Sequence, residues 1–272
     1  MKIVLQVSGL NIWDSRNEET IVKNVSFSLK ENSCLALVGE SGSGKSMTCK
    51  AIMGLTRPWI RCSGRVEFNG HELLTLPKQQ LRRLCGSRLC MILQDGMSAF
   101  DPSCVIGQHF RETLREHFGW TVQQADERMV ESMLTVRLKN PTEFLKKYPH
   151  QLSGGMLQRA MIALALVLEP EIIIADEPTT SLDTITQFEV MEQFAALQKR
   201  TSSAIIFVSH DLGVVNRLAD TVVVMKNGSV VEFGSLPEVF EQPQKEYTRY
   251  LVSSRQALGM RFRQVLGGNE PC

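Results

Sequence analysis

Nothing in this chain approaches the ~20 consecutive apolar residues that a bilayer-spanning helix requires. The longest apolar run, Ala160 to Leu168, stops at Glu169-Pro170. Met1 to Val7 alternates like a strand and lacks the longer apolar centre and small-residue cleavage site of a secretory leader. These absences set the expectation of a cytoplasmic chain that can still dock onto a membrane protein. The seven cysteines (Cys34, Cys49, Cys62, Cys85, Cys90, Cys104 and Cys272) are odd in number and contain no Cys-x-x-Cys pair. That argues against a disulfide framework or a zinc ribbon and for free thiols in a reducing compartment. Neither sign of charge is in excess, with a formal net charge of +1 and no dense Lys/Arg tract, so no nucleic-acid partner is expected. There is no internal repeat and no low-complexity tract. What remains is an ordinary soluble composition, 43% apolar and 22% charged, in 272 residues: one large domain or two modest ones.

Against that background one segment stands out. Gly39 to Ser46 reads Gly-Glu-Ser-Gly-Ser-Gly-Lys-Ser, a pattern whose glycines let the backbone fold tightly around a polyphosphate. The apolar run Cys34-Leu35-Ala36-Leu37-Val38 before it reads as a buried strand, and Met47 to Leu55 after it as a helix. A helix start offers unpaired N–H groups and the positive end of the helix dipole to an anion. In this reading Glu40, Ser41, Gly42, Ser43 and Met47 contribute backbone to the cradle, while Gly39 and Gly44 permit close approach. Lys45 supplies a point charge for the outer phosphates, and the Ser46 hydroxyl can ligate Mg²⁺. A glycine-serine turn with an incidental lysine is the competing account; the flanking strand and helix weigh against it.

The rest of the chain alternates between strand and helix material. Ile3 to Val7 and Ile21 to Leu29 read as strands around a polar, turn-like Asn11 to Thr20, and Gly64 to Gly70 as a strand entering a turn. From about 76 to 148 charge and helix formers dominate, with Leu89 to Leu93 the one strand-like run, so this stretch reads as a helical insertion. A helix is expected from Gln158 to Leu168, strands at Ile172 to Ala175 and Ala204 to Val208, and a helical tail from Gly234 onward, with Glu246 to Ser253 its main helix. Strands this apolar, separated by helices, predict a parallel sheet covered on both faces.

Asp176-Glu177 closes the strand Ile172 to Ala175, at the end where open α/β sheets place ligands. Asp176 is assigned to a metal ion and Glu177 to the polarisation of an attacking water. Leu152-Ser153-Gly154-Gly155-Met156 is a second glycine loop just before a helix. Two phosphate-type loops with one acidic set have one physical answer in a dimer whose nucleotides are each clasped by loops from two subunits.

Gly39–Ser46, Gln94, Leu152 to Gly155, Ile172–Glu177, Ser181-Leu182-Asp183 and His210 occur in the order found in ABC-transporter ATPase subunits, and the resemblance spans essentially the whole chain. It implies an α/β P-loop NTPase cassette with a mixed sheet core, an N-terminal antiparallel β portion and a helical insertion. It also implies an ATPase domain over 1–250 with a helical subdomain at about 95–157, and a C-terminal extension over 251–272. ATP and Mg²⁺ are the implied ligands. Ser153, Gly154 and Gly155 would bind the γ-phosphate held by a partner, Glu177 would be the catalytic carboxylate, and His210 would contact the γ-phosphate and position the water. Asp183 would couple the two sites, and Gln94 would sense Mg²⁺ and water ahead of a segment that meets the membrane subunit. Trp13 is the candidate for stacking on adenine, an interaction worth ~1–3 kcal/mol for nucleobases; a half-exposed packing role is its alternative.

Ser98-Ala99-Phe100-Asp101-Pro102 and the ending Pro243 to Leu251 resemble the oligopeptide/dipeptide/nickel importer group. Met156 stands where that group usually has glutamine, and the tail lacks the paired cysteines of many dipeptide-type members. With Thr48-Cys49, these departures are similar to the first ATPase of nickel or nickel/cobalt–metallophore importers. The implied partners are a distinct second ATPase, two permeases and an extracytoplasmic solute-binding protein, with the chain peripheral at the cytoplasmic face of the membrane. A peptide importer is the runner-up, and a non-transport ABC ATPase of DNA repair or translation the remote alternative. The five histidines lack metal-site spacing, so no nickel site is expected on this chain.

Overall fold

The computed structural model describes residues 2–179 and 184–254. Two sheets organise it. The strands β1 (Ile3–Asp14), β2 (Thr20–Lys30), β4 (Ile60–Phe68) and β5 (His71–Glu72) form an antiparallel sheet in the order β2-β1-β4-β5. The larger sheet contains β3 (Cys34–Val38), β6 (Leu89–Ile92), β7 (Ile172–Asp176), β8 (Ala204–Val208), β9 (Thr221–Lys226) and β10 (Ser229–Ser235), in the order β10-β9-β3-β8-β7-β6. All its pairings are parallel except that of β10 with β9. The mixed core and antiparallel N-terminal portion expected from the sequence are therefore present.

Every residue of β3, β7 and β8 is buried, and side-chain alternation divides each strand between two cores. Leu35, Leu37, Ile174 and Ile206 meet Leu5, Val7, Leu10 and Ile12 of the antiparallel sheet. Ile173, Ile205 and Phe207 face the helical side, together with α6 (Gly154–Leu168) and α7 (Thr184–Thr201). There the rings of Phe194 and Phe207 meet edge to face at 5.6 Å. A third, smaller core lies under Ala36, Val38, Val222 and Val224, where α8 (Leu212–Leu218), α9 (Leu236–Glu241) and the helical run 246–254 contribute Val215, Val239, Tyr247 and Val252.

Several expectations need correction. Asn11 to Asp14 belongs to β1, paired with both β2 and β4, so the turn between the first strands is confined to 15–19. Asp14 holds that turn by accepting from the Arg16 amide at 2.9 Å and its guanidinium at 3.0 Å. Leu89–Ile92 is the edge strand of the main sheet, and α1 (Lys45–Ile52) and α2 (Lys78–Leu84) precede it. The helical insertion therefore starts after Ile92, with α3 (Ile106–Phe118), α4 (Val122–Thr135) and α5 (Pro141–Phe144). α6 begins at Gly154 rather than Gln158, so position 157 lies within it, and the run 246–254 passes continuously through position 250. The hairpin β9–β10 had no counterpart in the sequence reading. Its Asn227-Gly228 tip has both φ positive, 48° and 80°, the hallmark of a tight two-residue hairpin turn. Among the described residues, no helix is long and apolar enough to cross a membrane.

Phe207→Ala would empty a fully buried position between sheet and helices. It should cost about 3–5 kcal/mol of unfolding free energy, measured by urea denaturation.

Candidate functional site

Four neighbouring parallel strands end on one line. Leu37 pairs with Val208, Val208 with Asp176, and Ala175 with Ile92. The residues that follow β3, β8, β7 and β6 therefore emerge side by side: the loop from Gly39, then His210, Glu177 and Gln94.

The loop after β3 is a cradle built by glycine. Gly39, Gly42 and Gly44 have φ of 149°, 79° and 99°, a region that L side chains avoid. A Cβ on Gly39 would lie 2.1 Å from the Met225 carbonyl oxygen, so the loop crosses directly over β9. Gly44 is the N-cap of α1 and brings no side-chain cap, leaving the first-turn amides available to an anion. Lys45 is buried, and its Nζ donates to the carbonyl oxygens of Gly39 and Glu40, both at 2.8 Å. Burial pushes this ammonium below its ordinary range, while the carboxylates of Glu177 and Asp176 pull it back up. The Glu40 amide donates to the Tyr247 hydroxyl at 3.3 Å, a contact the sequence reading did not foresee.

Across the end of β8, the Ser46 hydroxyl donates to Asp176 Oδ1 at 2.7 Å. Burial raises the Asp176 carboxyl above its usual range, and the Ser46 hydrogen bond opposes that rise. Beside it Glu177 takes a left-handed φ of 45°, an unusual conformation for this residue type, with its amide held by the Val208 carbonyl at 3.0 Å. Glu177 Oε2 lies 3.5 Å from Gln94 Nε2 and 3.3 Å from His210 Nδ1. Asp211 caps α8 right after His210, accepting from the Gly213 amide at 2.9 Å.

Most of the expected constellation is thus assembled: Gly39 to Met47, Gln94, Asp176, Glu177 and His210. Ser153, Gly154 and Gly155 stand apart at the start of α6, where Ser153 accepts from the Met156 amide at 3.3 Å. Gly154 is exposed and faces open space. Among the described residues no hydrogen bond joins this tip to the phosphate cradle. Trp13 is a half-buried strand residue, paired with Thr20 and Arg61, one register step from the β2 residues Ile21 and Val22 that pack against Gly44. Ser181, Leu182 and Asp183 lie outside the described residues.

The cradle fits a polyphosphate by glycine conformation, uncapped amides and an ammonium. The Ser46–Asp176 oxygen pair fits a hard divalent cation. Because burial disfavours the Asp176 carboxylate in the folded state, its ionisation weakens the fold at neutral pH and not below the carboxyl's unfolded titration range. Asp176→Asn keeps an acceptor for Ser46 and should raise the Tm of the ligand-free protein at pH 7. That gain should shrink as pH falls through the raised titration range of the folded-state carboxyl and vanish below about 4, as followed by calorimetry across pH.

The comparisons with known proteins agree with this chemistry. The family described as ABC transporter matches residues 22–180. The chain is 44% identical over 266 residues to the metal-staphylopine import system ATP-binding protein CntD of Staphylococcus aureus (strain NCTC 8325 / PS 47), covering 98% of each. It is 40% identical over 258 residues to the dipeptide transport ATP-binding protein DppD of Bacillus subtilis (strain 168), covering 93% of this chain and 77% of that one. The dimeric post-hydrolysis state of the ATP-binding cassette MJ0796, bound to ADP and Pi, is similar in structure at a TM-score of 0.76 and 26% identity, over 85% of this chain and 98% of that one. A phosphate cradle at the ends of parallel strands, a family match over more than half of the chain and a relative 44% identical along 98% of its length lead to one conclusion: the chain belongs to the ABC transporter family, as an ATP-binding and ATP-hydrolysing subunit of an importer.

Proposed function

We propose that Glu177 is the group that activates water for ATP hydrolysis in this subunit. The observation that carries it is the placement of Glu177 Oε2 between Gln94 Nε2 and His210 Nδ1, beside the Ser46–Asp176 pair. The carboxylate accepts the proton of a water whose oxygen attacks the γ-phosphorus, the bond to the β-phosphate oxygen breaks, and ADP and phosphate leave. Lys45, held by the carbonyls of Gly39 and Glu40, directs its remaining N–H at the outer phosphates. Ser46 and Asp176, with Gln94 nearby, would hold Mg²⁺, which would supply neutralisation of charge on the phosphate oxygens.

Ser153, Gly154 and Gly155 serve a nucleotide held by a second cassette, which accounts for an exposed glycine start to α6 away from the chain's own cradle. Asp183 couples the two sites, and Trp13 stacks on adenine. Residues 1–250 act as the ATPase unit, 95–157 as its helical arm and 251–272 as an extension. ATP drives the cassettes together and hydrolysis releases them, a population shift set by the ligand.

The cargo is nickel or a nickel/cobalt–metallophore complex, a reading supported by 44% identity along 98% of a metal-staphylopine import protein. The 40% identity to a dipeptide transport protein favours a peptide importer as the second reading. The subunit works on the cytoplasmic face of the membrane with a distinct companion ATPase, two permeases and a solute-binding protein. Among the described residues no group of three or more His, Cys, Asp and Glu is placed to hold a metal ion.

Lys45→Ala should weaken ATP binding about 10- to 100-fold, the worth of a charge-assisted contact, by equilibrium binding. Glu177→Gln should bind ATP normally and hydrolyse it about 10²–10⁴-fold more slowly; near-normal turnover refutes the role of Glu177. Cells lacking the subunit should lose uptake of radioactive nickel supplied with a metallophore and keep dipeptide uptake. The reverse pattern establishes the peptide reading.

A further inference from the structure

The third core takes in the C-terminal helical run and reaches the phosphate cradle through Tyr247. The helical run 246–254 lies against β9 and α8, where Tyr247 is 9% exposed and packs with Val38, Val222 and Val224. The Tyr247 ring carries the Lys226 ammonium 4.4 Å above its face. Lys226 ends β9, directly after Met225, the residue over which Gly39 passes.

The geometry of a single peptide group makes this contact consequential. The Gly39 carbonyl and the Glu40 amide belong to the same peptide plane, and in a trans peptide they point in opposite directions. The carbonyl end accepts from Lys45 Nζ at 2.8 Å, and the amide end donates to Tyr247 Oη at 3.3 Å. The plane is pinned at both ends. Rotating it would break the tyrosine contact and turn the carbonyl away from Lys45 together. With φ of 149° and no Cβ, Gly39 offers little steric resistance to such a rotation, so the outer hydrogen bond supplies the restraint.

We propose that Tyr247 is a positioning residue for ATP binding: its hydroxyl fixes the Gly39–Glu40 peptide, and through it the placement of Lys45. It touches no reacting atom. Its effect is on the fraction of molecules whose cradle is ready for phosphate, and a reduced competent fraction weakens apparent affinity without altering the bound complex. The inference rests on Gly39 to Ser46 being the phosphate site.

The test is Tyr247→Phe, which keeps the ring under Lys226 and within the apolar cluster while removing only the hydroxyl. Its Kd and KM for ATP should rise about three- to tenfold, the worth of one neutral hydrogen bond, with kcat within about twofold of the unsubstituted protein. Tyr247→Leu, which also removes the cation–π partner, should raise KM further. Lys45→Ala is measured alongside. If Lys45→Ala loses affinity while Tyr247→Phe stays within twofold, the positioning role fails and the phosphate site stands. If Lys45→Ala keeps its affinity, the phosphate site and this role fall together. If Tyr247→Phe lowers kcat and Tm with no change in KM, the residue is structural and the proposal is overturned.

Discussion

Parallel pairing in register across β3, β8, β7 and β6 is the constraint on which the site depends. Each strand delivers its following residue to the same edge, so groups more than a hundred positions apart meet without a long loop to place them. A slip of one residue between β7 and β8 would turn Asp176 to the opposite face and place Glu177 where the ladder now runs. The buried apolar alternation of both strands resists that slip, because it would also exchange the residues facing two different cores. Core packing and catalytic geometry are enforced by the same pattern.

That edge is costly to build. Lys45 and Asp176 are charged groups held largely out of water, each shifted by burial toward its neutral form. Glu177 adds a backbone conformation that β-carbon residues adopt at an expense of order 1–3 kcal/mol. These terms oppose folding and are offset by three apolar cores. Their concentration at one end of the sheet is the physical mark of a site arranged for an anion and a cation that supply the missing counter-charge.

The phosphate cradle was legible because its requirements are local: glycines, a lysine and a hydroxyl within eight consecutive residues. Asp176 and Glu177 were legible because acids closing an all-apolar strand, which alone could merely solubilise its end, gain meaning beside a phosphate loop in the same chain. Asn227-Gly228 is a hairpin signal legible in the sequence, and Gly234, expected to open a helical tail, belongs to the β10 strand that this turn returns. Gly154 and Gly155 read from sequence as a loop just before a helix, whereas tertiary packing of Leu157, Ala160 and Met161 carries the helix back to the Ser153 cap. Tyr247 lay beyond reach of local reasoning, because its partner is a backbone amide 207 positions away.

α6 has a further mechanical consequence. Its body is wedged between α4 and α7, while Ser153 and Gly154 stand at its uncovered tip. Fifteen helical residues make a rod about 22 Å long, so a tilt of about 5° at the wedged end sweeps the tip through about 2 Å, enough to make or break a hydrogen bond. The helix multiplies small adjustments: a slight rocking of the arm by any neighbour seated on it is read out at the serine as engagement or release.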